Sequence, residues 1–170
     1  MQRVGITGHV ALPADLVGRL RAALATRLRA VLPLGLHGVT CLARGSDQIF
    51  ARAVADLGGT FEVVLPAHDY RERVVEPDNR DSFDELLGLA TAIRTLPYPR
   101  SSRIAYFAAS EYMLGRCDIL LAVWDGSPSR NIGDAAHVVS TARDLGVPVE
   151  VHWPAQGTGR PGSAGVLSHR

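Results

Sequence analysis

The sequence contains no lysine; all 18 of its basic residues are arginine. That absence removes several chemistries. There is no Walker-A lysine for a nucleotide phosphate, no strand lysine of the kinase type, and no lysine to carry pyridoxal phosphate as a Schiff base. The arginines are spread along the whole chain, as codon bias would spread them. Cysteine is scarce too. Cys41 and Cys117 are the only two, with no CxxC spacing for zinc or thiol exchange. With one strand between them they stand about 10 Å apart, beyond the ~7 Å Cα limit for a disulfide. Both are expected to be buried, reduced thiols. No apolar run approaches the ~18 residues that span a bilayer, and no signal peptide opens the chain, so no membrane contact and a cytoplasmic location are expected. None of the six histidines is paired at i, i+4 and there is no HExxH, so neither a metal nor another cofactor is expected.

The remaining composition is that of a globular domain. The chain has 170 residues, 46% of them hydrophobic and 21% charged, with a mean hydropathy of +0.08. One compact domain of this size buries most of its apolar surface without a disulfide or metal. A net charge of +1 and a pI near 7.9 speak against a dedicated nucleic-acid binder.

Short apolar runs alternate with helical periodicity. Val4 to Thr7 reads as a strand ended by Gly8. Leu16, Leu20, Leu24, Leu28 and Leu32 recur every four residues, one stripe of an amphipathic helix between Pro13 and Pro33. His37 to Ala43 reads as a second strand. Ser46 is the expected N-cap of a helix that Gly58-Gly59 ends. Phe61 to Leu65 is a third strand, and residues 67–80 read as a long polar loop. Phe83, Leu86, Leu87, Ala90 and Ile93 mark a helix capped by Asp81 or Ser82. An irregular segment at 97–103 precedes a helix over Ile104 to Arg116. Ile119 to Trp124 is a continuous apolar run, the sign of a central parallel strand buried on both faces. A helix from about Asp134 to Leu145 and a strand from Val147 to His152 follow. The stretch 154–170, rich in Gly and Ser, is expected to be a flexible tail on a domain of residues 1–153.

This pattern predicts a single-domain α/β fold: a Rossmann-like parallel sheet of about five strands with helices on both faces. An order such as 3-2-1-4-5 places the topological switch beside strand 1, and ligands bind outside the carboxyl ends of the strands there. The chemistry should therefore lie in three turns. In the first, Gly8 permits a sharp turn and close approach, and His9 adds a polar group. The pattern is not GxGxxG, and no acidic residue ends strand 2 to hold a ribose, which speaks against a nicotinamide enzyme. In the second, Arg44, Gly45 and Ser46 open a helix whose free N–H groups could hold a phosphate, and Asp47 suits a ribose hydroxyl, a base edge or proton transfer. In the third, a carboxylate at the tip of the most buried strand needs a partner, making Asp125 the strongest single contact. Ser129, Asn131 and Gly133 could form another anion-binding rim, Gly126 is a further candidate ligand contact, and Asp134 is read as a helix cap. The segments at 67–80 and 97–103 could act as lids or as plain surface.

The segments VGITGH, LARGSDQIFA and CDILLAVWDG, in this order and spacing, resemble the SLOG superfamily. These are Rossmann-like domains related to the Lonely Guy phosphoribohydrolases and to DNA-processing protein A. The resemblance covers roughly residues 3 to 153 and implies a nucleotide or nucleotide-derived ligand at the carboxyl edge of the sheet, and a homodimer, with a monomer as the alternative. It also exposes a departure. Lonely Guy enzymes carry a PGGxGTxxE segment with a catalytic Glu, whereas this chain reads SRNIGDAAHVV. Aligned on Gly133, Asp134 and Ala135 replace glycine and threonine, and the Glu position falls on Val138. Two functions follow. The chain is a sensor or carrier that binds a nucleotide-derived small molecule, or it is a hydrolase or transferase acting on the N-glycosidic bond of a nucleoside monophosphate. In the second case Asp47 and Asp125 are the candidate catalytic carboxylates.

Overall fold

The computed structural model describes residues 1–130 and 132–153. Asn131 and the expected tail at 154–170 lie outside the described residues.

Six parallel strands form one sheet: β1 (Gln2–Gly8), β2 (Leu36–Thr40), β3 (Thr60–Leu65), β4 (Ala92–Thr95), β5 (Ile119–Val123) and β6 (Val149–Val151). Their order is β4-β3-β2-β1-β5-β6, so the strand order reverses between β1 and β5. Val4 lies opposite Ile119 and Gly8 opposite Val123. The helices are α1 (Ala14–Val31), α2 (Ser46–Asp56), α3 (Tyr70–Arg73), α4 (Arg80–Leu89), α5 (Arg103–Leu114) and α6 (Ala135–Asp144). Helices α1 and α4 both pack on α2, and α5 packs on α6.

Two apolar cores flank the sheet. The leucine stripe of α1 is buried through Leu28, joined by Phe50, Phe61 and Phe83. On the other face Val39, Val64 and Leu120 meet Met113, Leu114 and Val138. Strand β5 sends Ile119, Leu121 and Val123 to the first core and Leu120 to the second, which is why its sequence is apolar without alternation. Among the described residues no helix is long and apolar enough to cross a membrane.

The sheet has one strand more than the five expected. Strand β4 is hidden in the sequence because Ala90 and Ile93 continue the helical spacing of Phe83 and Leu86. The helix in fact stops at Leu89, and Ala90 is already extended. An edge strand with an exposed Ile93 carries no alternating apolar signal. That helix begins at Arg80 with Asn79 as its cap residue, not Asp81 or Ser82. The polar segment 67–80 is also more ordered than expected, holding α3 and a 3-10 turn at Pro77–Asn79. Both thiols are free; Cys117 is buried, but Cys41 is only half-buried.

Candidate functional site

Strand β2 ends three residues earlier than its apolar run suggests. The Thr40 hydroxyl accepts the Leu42 N–H at 3.0 Å, and Leu42 adopts φ +59°, the left-handed region, in the core. A branched side chain held there is a strained position maintained by its surroundings. The next turn of chain is fastened by Asp47, whose Oδ2 accepts the Thr40 hydroxyl at 3.2 Å and the Ala43 N–H at 3.3 Å. Gln48 Nε2 donates to the Leu42 carbonyl. The strain therefore sits at the carboxyl end of β2, directly before α2.

Ser46 does not cap α2. The cap residue is Gly45, at φ +90° with no side-chain cap bond. A Cβ there would stand 2.4 Å from the Val10 carbonyl oxygen, so glycine is required by space as well as by φ. The Ser46 hydroxyl instead donates to the His9 carbonyl at 3.1 Å, clasping the first turn to the second. His9 Nε2 lies 3.1 Å from Asp125 Oδ1, which joins the first turn to the third. Hydrogen bonds from Ser127 first, then from His9, hold the Asp125 carboxyl down at about 2. Asp125 thus has the partner that its place beyond β5 required, on the surface rather than in the core. Gly126 follows at φ +84°, in a turn closed by Ser127 N–H on Asp125.

Among the described residues, the third turn satisfies several of its own donors. Asp134 caps α6, accepting the His137 N–H at 2.9 Å and the Arg130 N–H at 2.7 Å. Gly133 N–H goes to His137 Nδ1 at 2.9 Å. A side-chain carboxylate occupies the helix N-terminus that an anion would otherwise take.

A cavity of about 360 Å3 lies at the carboxyl edge of β1, β2 and β3. It brings together Gly8, Arg44, Asp47 and Gly133 with Tyr70, Tyr106, Ser110, Asn79 and Glu76. Of the other sequence-derived residues, Gly45 lines an adjoining outer groove, while His9, Ser46, Asp125 and Gly126 line neither. Two walls of the cavity, Tyr70 and Tyr106, carry no signal as a pair in the sequence. Tyr70 belongs to the polar segment 67–80, and Tyr106 has the spacing of a packing residue on α5. Their rings meet edge to face, 6.3 Å apart. The two irregular segments are tied to each other: His68 N–H donates to the Tyr98 carbonyl, and Asp69 accepts from Ser101.

The electrostatics of the cavity centre on Asp47. It is 6% exposed, and burial pushes its carboxyl up to about 7 against the pull of the Ala43 and Thr40 bonds. Burial also raises Tyr70 and Cys41. Arg44 forks onto Asp78 at 3.0 and 2.9 Å and so is not directed at the cavity centre.

No family model matches the chain, and no curated protein matches it. Solved structures do. DNA processing protein A from Streptococcus pneumoniae aligns with a TM-score of 0.63 at 17% identity, over 88% of this chain and 50% of that one. DNA processing protein A from Helicobacter pylori, a single-stranded DNA binder, aligns at 0.65 and 15%, over 88% and 64%. A molybdenum cofactor binding protein from the phototrophic bacterium Rippkaea orientalis aligns at 0.58 and 15%, over 90% and 77%. The chain spans half the length of the first of these and under two thirds of the second. At such identities the fold is what is shared. The Rossmann-like fold implied by the three sequence segments is the fold found, and DNA processing protein A has it too.

Proposed function

We propose that this chain is a binding domain, a sensor or carrier, for a nucleotide or nucleotide-derived small molecule held in the cavity at the carboxyl edge of the sheet. The observation that carries the reading is the cavity itself. Beside the reversal of strand order, where such sheets take ligands, Gly8, Arg44, Asp47 and Gly133 converge with two tyrosines around about 360 Å3, within the range of small-molecule sites. The cofactor-binding protein among the fold neighbours is in keeping with it. A single-stranded DNA site is less favoured by the engagement of Arg27, Arg44, Arg52, Arg71 and Arg116 with carboxylates and by a net charge of only +1. In this reading the protein works in the cytoplasm, alone or as a homodimer.

A thermal-shift screen against nucleoside mono-, di- and triphosphates and ADP-ribose-type compounds tests it. A ligand at ~100 times its dissociation constant adds roughly 2.7 kcal/mol of stability. Stabilisation by a ligand recovered intact is the expected result; no stabilisation by any of them overturns the reading.

One observation supports the alternative of an N-glycosidic hydrolase. A buried carboxyl at about 7 in a cavity, as at Asp47, is suited to proton transfer near neutrality. Against it, Val138, which falls at the position of the Lonely Guy glutamate, is a residue of α6 buried in the core and cannot take that role. Release of free base in the same screen, lost in Asp47→Asn, would make the enzyme the better reading.

A further inference from the structure

Among the described residues no arginine or histidine forms an ion pair with Asp47. Its Oδ2 accepts from Thr40 and Ala43 at 3.2 and 3.3 Å, and the backbone amides of Cys41 and Leu42 also help to hold the carboxyl down. Buried charges are ordinarily paired or lost. The basic residue of the lining, Arg44, is held by Asp78, and the other ionisable carboxyl of the lining is Glu76. The cavity therefore sets a buried carboxylate, and among the described residues no free cation, where a deeply seated phosphate would lie. Its remaining walls suit a flat ring: Leu42, Val74 and Met113 are apolar, and Tyr70 and Tyr106 add aromatic surface.

We propose that the cavity selects heterocycles presenting an N–H beside an NH2 group, the 2-amino-4-oxopyrimidine edge common to guanine and the pterins, with Asp47 as the specificity-determining acceptor. The inference rests on the cavity being the small-molecule site. A carboxylate has two acceptor oxygens side by side and no donor when ionised. Adjacent N–H and NH2 donors match it in a paired, charge-assisted arrangement. Hypoxanthine offers the N–H without the amine. Adenine offers an amine beside a ring-nitrogen lone pair, which would face the carboxylate. Uracil flanks its N–H with carbonyl oxygens. A phosphate on such a ligand would lie at the mouth, where Arg44 also borders the outer groove that holds Arg21 and Arg52.

Calorimetry at pH 8 on the full chain, with guanosine, inosine and adenosine 5′-monophosphates and with neopterin, tests this. Guanosine monophosphate, neopterin or both should bind at least about tenfold tighter than the inosine and adenosine nucleotides, since a site built around ligand donors rejects analogues lacking them. The first alone identifies a nucleotide as the source of the edge, the second alone a pterin. Asp47→Asn should weaken the preferred ligand by about tenfold or more. Should that variant fail to fold, 1-methylguanosine monophosphate tests the same contact on the unaltered protein, and its binding should fall equally. Equal affinity for the guanine and hypoxanthine nucleotides, or an unaffected Asp47→Asn, overturns the proposal. If none of these binds while another compound from the broader screen does, the selectivity falls and the small-molecule reading stands. If nothing in either set binds, both fall.

Discussion

A Cβ placed on Gly8 would stand 2.5 Å from Ser46 Oγ and 2.7 Å from the carbonyl oxygen of Val123. At Gly8, β1, β5 and α2 thus leave no room for a side chain, and the Ser46 clasp onto His9 depends on its absence.

Gly8→Ala should therefore destabilise the fold by about 3 kcal/mol, the upper end of overpacking penalties. Adding Ser46→Ala should recover only part of it, because the collision with the Val123 backbone remains. Urea denaturation of the two variants checks this. Full recovery by the second substitution would show that the serine, not β5, sets the requirement.

Asp69 accepts the Ser101 backbone N–H at 2.6 Å and its hydroxyl at 2.7 Å. Asp69→Ala should free the segment that carries Tyr70, and the amides of His68 and Tyr70 should exchange markedly faster while those of β5 do not change. Ser101→Ala should have the smaller effect, because its backbone N–H still donates. Hydrogen exchange read by mass spectrometry separates the two.

Asp47 imposes a pH dependence whose sign is fixed. Its folded value, about 7, lies above the ordinary carboxyl value of the unfolded chain. The folded state therefore keeps a proton that the unfolded chain releases, and this stabilising contribution is complete below about pH 4 and lost as pH rises through 7. Asp47→Asn, which can still accept from Ala43 and Thr40, removes that loss. The variant should gain on the order of 2 kcal/mol over the parent between pH 5 and pH 8. Paired denaturation curves at the two pH values measure it, and a gap that stays constant would contradict a carboxyl titrating near neutrality.

Asp134→Ala removes the side-chain cap of α6 and should cost about 1 kcal/mol, with Asp134→Asn costing less. Thermal unfolding distinguishes them. Equal loss would mean that the charge at the helix terminus, rather than the hydrogen bond to His137, is what matters.

Much of the architecture was legible in local spacing. The leucines of α1 recur with the helical period because that face is buried along its length, and β5 is uniformly apolar because both of its faces are covered. The order β3-β2-β1-β5-β6 within the sheet is the order expected from the strand and helix alternation. Strand β4 escaped because an exposed edge strand has no buried face to impose a pattern. The end of β2 escaped because a threonine hydroxyl and a distant carboxylate, not periodicity, stop it at Thr40.

The site divides in the same way. Sequence by itself determined the sheet, its reversal point beside β1 and the three turns there, since each depends on neighbours a few residues apart. Tertiary structure decided which turn residues share a cavity. It placed Gly8, Arg44, Asp47 and Gly133 around one space, turned Asp125 outward onto His9, and filled the α6 terminus with Asp134. It also brought Tyr70 and Tyr106 together from separate helices. Burial, and with it the charge state of Asp47, belongs to that assembled environment: a carboxyl is raised by the water it loses, and the sequence alone does not state which walls exclude the water.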